Sequence, residues 1–358
     1  MGHAALTIGT NDNGFIRERT HVIHQATARL LGAAILAASL VSTASAEVSE
    51  IRAARQYGLS SLPLMIMEDQ KLVEQEAAAA GLPDLTMSWV QLGGPGAMNE
   101  ALISGDLDIG AAGAPSLITL WDRTKGSAME IRGIGSLVEM PMELLTTNPD
   151  VKSIRDFTED DKIAVTTIKV SNQAMLLQMA AAAEFGEDEY DRLDPLTVSL
   201  PHPEAMATLL SGGGVITAHF SALPYQYMQK KQPGVHPVIS SYDILGGPAT
   251  NTAAFTTSRF HDENPKAYTA FVTALEKAID IINADKKAAA ETYKRMTNSN
   301  EPVEDIEAII SDPQVTMSLT PRQTMKMATF MHKIGRINNE PTTWTDLFFP
   351  NVAELPGS

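Results

Sequence analysis

The 358-residue sequence predicts an α/β fold of two lobes, and three observations carry that expectation. From Glu47 onward, short β-like apolar runs alternate with longer helical ones, the pattern of sheets with largely parallel strands covered by helices. The strand-like runs repeatedly stop at small or polar residues, where a helix can then begin. Two breaks, one around Pro149 with "SIRDFTEDD" and one at "LGGPATNT" (245–252), bracket a middle region as if one lobe were inserted in the other. The expected limits are 47–147 with 249–358 for the first lobe and 148–248 for the second.

Taken in order, "EIRAARQYG" predicts a first strand and "LPLMIMEDQKLVEQEAAAAG" an amphipathic helix closed by Gly81. "LTMSWVQLGG" is a strand stopped by glycines, "GAMNEALISG" a short helix, "LDIGAAG" a third strand, and "APSLITLWDRTKG" a helix ending in Lys and Gly. "MEIRGIGSLVE" and "MELLTTNP" follow as strands. The middle region reads "KIAVTT" strand, "SNQAMLLQMAAAAEFG" helix, "LTVSL" strand, "PEAMATLLSGG" helix and "VITAHF" strand, then the segment "SALPYQYMQK". "AAFTTS" resumes as a strand, and four helical runs lead to an aromatic "WTDLFFP" expected to staple the tail onto the first lobe. No internal repeat is visible.

Composition excludes several functions. With 27 Lys and Arg against 43 Asp and Glu, the formal charge of −16 leaves no basic patch for phosphate backbones, so no nucleic-acid partner is expected. The chain has no cysteine, which removes disulfides, thiol nucleophiles, zinc thiolates and iron–sulfur ligation. "GGPG" (93–96) and "SGGG" (211–214) match neither a dinucleotide fingerprint nor a phosphate loop. There is no Gly-x-Ser-x-Gly elbow or His-Glu-x-x-His helix, and the histidines after Glu47 lack metal-ligand spacing. No catalytic residue, metal or cofactor is expected. At the N-terminus, Arg17, Arg19 and Arg29 precede the apolar run "LLGAAILAASLV", and "ASA" (44–46) supplies small residues before Glu47. That is the pattern of a cleavable secretory signal over 1–46, which implies a periplasmic mature chain.

Ligands of open α/β sheets bind beyond the carboxyl ends of the strands, so the segments there are the candidate site. These are "YGLSSLP", with Ser60 and Ser61; "LGGPG", with Gly94; "AAGAPS", with Ala112 and Ala114; "IKVSNQ", with Lys169, Ser171 and Asn172; and "HFSALPY". Ser171 stands where an N-cap belongs, so the free N–H groups of the following turn would face the crevice with the positive end of the helix. A carboxylate, sulfonate, phosphate or nitrate could be held there by neutral dipoles, with Lys169 able to add a charge.

The segment "WVQLGGPGAMNEALISGDLDIGAAGAPSLI" resembles the periplasmic solute-binding proteins of the nitrate, sulfonate and taurine ABC importers, relatives of the pyrimidine-precursor proteins of thiamine metabolism. The family pattern Ala-Leu-x-x-Gly-Asp-x-Asp falls on Ala101, Leu102, Gly105, Asp106 and Asp108, and the likeness extends through "KIAVTTIKVSNQAMLL" to "FMHKIGRINNEPTTWTDLFF". The resemblance implies a type II periplasmic binding protein: two α/β lobes joined by two crossovers, a monomer that closes on a small solute and delivers it to an ABC permease. Where many relatives carry a Trp and an acidic residue, this chain has "VITAHFSALPYQY", which places His219 and Ser221 in that neighbourhood. Glu139, ending "GIGSLVE" near the first crossover, could substitute as the acidic partner an amine would need.

Overall fold

The computed structural model describes residues 1–5, 9 and 46–358, and most of the expected leader, with its apolar run and arginines, lies outside the described residues. No helix among the described residues is long and apolar enough to cross a membrane.

The chain enters through β1 (Glu50–Arg55) and two helices, α1 (Leu62–Gln70) and α2 (Leu72–Ala79). These were expected as one helix; Lys71 interrupts it with left-handed backbone, φ 52°, and nothing in the residue type asks for that break. β2 (Thr86–Gln91), α3 (Pro95–Ser104), β3 (Ile109–Ala112), α4 (Ala114–Thr124) and β4 (Ile131–Glu139) follow the expected order. Then come β5 (Glu143–Thr146), β6 (Ile163–Val165), α5 (Asn172–Phe185), β7 (Thr197–Ser199), α6 (His202–Leu210), β8 (Ala218–Ser221) and α7 (Tyr225–Lys230). β9 (His236–Ser240) and the short α8 (Ser241–Leu245) have no counterpart in the sequence reading. β9 carries Pro237 and is half-exposed at the edge of its sheet, where a proline costs no ladder bond and the apolar signal is weak. β10 (Thr250–Thr257), α9 (Ser258–Glu263), α10 (Pro265–Ala284), α11 (Lys286–Thr297), α12 (Val303–Ile310) and α13 (Thr324–Lys333) complete the chain.

Two five-stranded sheets result, ordered β2-β1-β3-β10-β4 and β7-β6-β8-β5-β9. They are mixed rather than largely parallel: β1 runs parallel to β2 and β3, and β6 to β7 and β8, but β10 and β5 run antiparallel to both neighbours. The two reversed strands are the ones that enter each sheet from the other lobe. The strand "MELLTT", expected in the first lobe, pairs with β8 and β9 of the second sheet, so the chain leaves the first sheet at Met140–Met142, ahead of the expected 147/148 limit. It returns between Ser240 and Thr250.

Each sheet is covered by helices whose apolar faces are buried. Leu62, Met65, Ile66, Phe271, Leu275 and Ile282 pack together over one face of the first sheet, while Leu176, Leu177, Phe220 and Ile163 belong to the core of the second. The aromatic tail closes on the first sheet: Phe349 N–H donates to the Gly133 carbonyl of β4 (2.8 Å). The motif aspartates are structural. Asp108 accepts from the Arg52 backbone N–H (2.8 Å) and from its guanidinium (2.7 and 3.0 Å), which pins the start of β3 to β1, and Asp106 accepts from Ser104 (2.7 Å).

Candidate functional site

The carboxyl ends of both sheets face one another across a cleft lined by residues of every segment proposed from the sequence. From the first lobe come Gln56, Tyr57, Ser60, Pro95, Gly113, Asn251 and Thr252; from the second, Thr166, Ser171, Asn172, Gln173, His202 and Ala222, with Met142 at the crossover. The lobes approach so closely that only about 20 Å³ remains, room for roughly one water molecule. Leu59 N–H donates to the Leu223 carbonyl (3.0 Å) and Asn172 Nδ2–H to the Asn251 carbonyl (3.3 Å), bonds that run from one lobe to the other.

The lining carries no Asp, Glu, Lys or Arg. Its polarity comes instead from dipoles. Helices α3, α4, α5 and α6 all begin at the cleft, at Pro95, Gly113, Ser171 and His202. Ser171 is an N-cap with extended backbone whose Oγ accepts from the Ala174 N–H (3.3 Å); this leaves the N–H groups of Asn172 and Gln173 outside the ladder of α5. Two side-chain amides add to this. Gln56 Nε2 and Asn251 Nδ2 are buried without a hydrogen-bond partner, and the Asn251 oxygen is already occupied by the Thr252 hydroxyl (3.1 Å). A buried donor left unmet costs about 1–3 kcal/mol, so both amides are poised for an acceptor.

From this wall a chain of buried polar side chains runs inward. The Thr166 hydroxyl donates to Gln173 Oε1 (3.1 Å), Gln173 Nε2 meets His202 Nε2 (3.0 Å), His202 Nδ1 meets His219 Nε2 (2.9 Å), and His219 Nδ1 meets the Gln229 amide (3.0 Å). Burial pushes the His202 imidazolium down to about 4, and burial followed by the neighbouring His202 holds His219 well below its ordinary range, so both rings are neutral.

Of the residues singled out in the sequence, Ser60, Ser171 and Asn172 line the cleft. Gly94 lies beside Pro95 with the Thr166 carbonyl against it, and Ala112 and Ala114 flank the lining Gly113. The others lie elsewhere. Ser61 turns inward and donates to the Gln56 carbonyl (2.8 Å). Lys169 is exposed with left-handed backbone (φ 63°) and its charge reaches Asp194, so it adds no cation to the cleft. Glu139 is buried in an ion pair with Arg322 (3.0 Å) and its backbone pairs with Thr316; burial raises its carboxyl above the ordinary value and Arg322 opposes that rise. It is a pin at the crossover, not a lining acid. His219 stands one layer behind His202, and Ser221 is fully buried in β8 outside the lining. His202 was reachable from the sequence, since it follows the strand "LTVSL" as the other candidates follow theirs. Asn251 and Thr252 were hidden by the reading of "LGGPATNT" as a break.

A larger hollow of about 570 Å³ between α5, α8 and α13 is lined by Met179, Phe330, Ile334, Lys326 and Lys333 among others. Its lining includes no strand residue, and among the described residues none of those lining it holds an unpartnered buried polar atom.

A family model described as "NMT1-like family" matches residues 55–297. No curated protein matches the chain. Among solved structures, the chain is similar to the alkanesulfonate-binding protein SsuA from Xanthomonas axonopodis pv. citri bound to MOPS, with a TM-score of 0.64 at 17% identity over 83% of this chain and 96% of that one. It is also similar to the periplasmic nitrate-binding protein NrtA from Synechocystis PCC 6803 (TM-score 0.64, 17% identity, 84% of each chain). A third is the periplasmic aliphatic sulphonate binding protein SsuA from Escherichia coli (TM-score 0.60, 18% identity, 85% and 99%). At these identities the likeness is one of fold: that of the type II periplasmic binding proteins.

Proposed function

We propose, on the premise that this chain belongs to the NMT1-like family, that it is the extracytoplasmic solute-binding component of an ABC importer and captures a small oxyanion by closure of its two lobes. The observation that carries this reading is the pair of buried, unpartnered amides, Gln56 Nε2 and Asn251 Nδ2, in an uncharged lining at the start of four helices. Such a lining gives an acceptor-rich ligand several donors and no counter-charge to desolvate. The sulfonate and nitrate classes fit it better than taurine, whose ammonium would need an acid that Glu139, held by Arg322, does not offer. Ser60, Ser171, Asn172, Gly94 and the alanines flanking Gly113 are the sequence-derived residues this reading retains at or beside the ligand. The lobe limits proposed with it are the strand exchanges at Met140–Met142 and between Ser240 and Thr250. The reading assigns the chain no catalysis and no cofactor, a periplasmic location, and a monomer delivering to the transmembrane subunits of a permease.

Tyr57 within an uncharged lining supports a second reading, an aromatic heterocycle such as a pyrimidine precursor held by stacking. A thermal-shift panel of methanesulfonate, longer alkanesulfonates, nitrate, taurine, carboxylates and pyrimidines separates the two, because a ligand that binds only the folded chain raises Tm by mass action. Stabilisation by sulfonates or nitrate supports the first reading and stabilisation by pyrimidines alone the second. A flat response across the panel defeats both.

A further inference from the structure

We propose that His202 and His219 are positioning residues: a neutral imidazole pair whose linked tautomers set the direction in which the cleft-lining amide of Gln173 points. The proposal rests on the solute-binding reading for its functional meaning, though not for its geometry. Gln173 is 3% exposed and lines the cleft, His202 lines it beside Gln173, and His219 and Gln229 are wholly inside.

Proton bookkeeping along the chain allows few arrangements. The Thr166 hydroxyl gives its proton to Gln173 Oε1, so the Gln173 nitrogen is the group facing His202 Nε2 (3.0 Å) and must donate. His202 Nε2 is then an acceptor, which puts the ring's proton on Nδ1, and that proton is donated to His219 Nε2 (2.9 Å). By the same rule the proton of His219 sits on Nδ1. There Gln229 offers both its oxygen (3.2 Å) and its nitrogen (3.0 Å), and only the oxygen completes this direction. Gln229 accommodates this direction through its oxygen, and with both rings holding their protons on Nδ1 the Gln173 amide can present only its nitrogen to His202. Turning the Gln173 amide over would require both rings to exchange Nδ1–H for Nε2–H with no change of charge. Two neutral imidazoles can do this, whereas two apolar residues could not pass polarity at all.

The surroundings keep the pair neutral. Tyr225 stacks on His202 (centroids 5.6 Å apart), with Tyr57 and Tyr293 next to Tyr225. Among the described residues, no Asp, Glu, Lys or Arg hydrogen-bonds either ring. The consequence is a cleft wall whose donor pattern is fixed without any group that titrates near neutral pH.

The test is nitrogen NMR of the protein labelled at histidine. At pH 7 both rings are expected to be neutral with the proton on Nδ1 of each. A cationic ring, protons on unlike nitrogens of the two rings, or protons on both Nε2 atoms would overturn the assignment. The second arm measures affinity for methanesulfonate and nitrate. His202→Phe is expected to weaken binding about tenfold or more, by leaving Gln173 without its acceptor. His202→Gln, which keeps an acceptor within reach of Gln173, is expected to recover most of that loss, and wild-type affinity is expected to be flat from about pH 5 to about pH 8. A His202→Phe variant that binds as tightly as wild type would refute a positioning role. If neither anion binds the wild-type protein, the solute-capture reading fails on its own, while the ring signals still decide the relay.

Discussion

Ser171 shows at the scale of one side chain how much of the site a sequence can disclose. Its place before an apolar helical run marks an N-cap, and in the structure its Oγ accepts from Ala174 N–H while the next two N–H groups stay outside the helix ladder. Ser171→Ala removes the cap and one hydroxyl from the cleft; an affinity loss of severalfold is expected by calorimetry, at a stability cost of about 1 kcal/mol. Ser171→Phe is expected to abolish binding, since the cleft has no volume to receive the ring. Unchanged affinity in both variants would reduce Ser171 to an ordinary cap. The buried histidines were not legible in the same way, because a lone His in a sequence carries no sign of the ring it will meet. They dictate an acid sensitivity. Both have folded values depressed below the ordinary 6.5, so their stabilisation is present above that pH and is lost as pH falls toward about 4. For His202 alone the span is worth roughly 3 kcal/mol. Glu139 acts in the opposite sense: its raised value means stability is lost as pH rises through it, an effect that Arg322 opposes. Melting temperature is therefore expected to fall steeply between about pH 6.5 and about pH 4, and to flatten when both histidines are replaced by phenylalanine. A flat wild-type profile would contradict the burial argument.

Elements explain why loops so far apart in the chain could be chosen together. The rule that ligands lie beyond strand carboxyl ends selected five segments, and all five reach the cleft. It failed at β10, which runs antiparallel in its sheet and brings Asn251 and Thr252 to the cleft at its amino end. No strand-end rule finds a residue there, and the glycines and proline just before it read as a break. The glycines at the same segments have a further role, beyond ending a strand or bordering the candidate site. A Cβ on Gly94 would stand 2.6 Å from the Thr166 carbonyl, and one on Gly113 would stand 2.8 Å from Asn172 Cβ, both on the opposite lobe. Their backbones, φ −170° and −62°, suit any residue, so alanine would cost no backbone strain and act only as a wedge between lobes. Gly94→Ala and Gly113→Ala are expected to keep the fold and its melting temperature within a few degrees while weakening solute affinity about tenfold or more. Small-angle scattering should show a larger radius of gyration with saturating solute than for wild type. Wild-type scattering and affinity in both variants would mean that the lobes do not close through this seam.

Over the whole molecule, the cleft is flanked by ties that the sequence gives no means of pairing, because their partners come from opposite lobes and lie far apart in the chain. Lys231, just after α7, bonds Asp305 of α12 (2.6 Å) and lies 3.6 Å from Glu301, while the Tyr227 hydroxyl donates to the other Asp305 oxygen (3.2 Å). Lys333 of α13 pairs with Glu187, which follows α5. Both clusters join first-lobe helices to second-lobe segments, so they exist only while the lobes stand as they do here, and they favour closure by their own small free energy. Exposed pairs of this kind each contribute little and are screened by salt. Raising ionic strength from about 0.1 M to about 1 M, which shortens the Debye length from about 10 to about 3 Å, is expected to weaken solute affinity by a few-fold, chiefly through faster dissociation. The double variant Lys231→Gln with Lys333→Gln should bind more weakly by a similar factor at low salt and lose most of the salt dependence. The uncharged cleft lining makes the comparison clean, because screening of a direct charge contact with the solute would leave the salt slope intact in the double variant. A slope that survives there would place a charge at the ligand and contradict the dipole-only site.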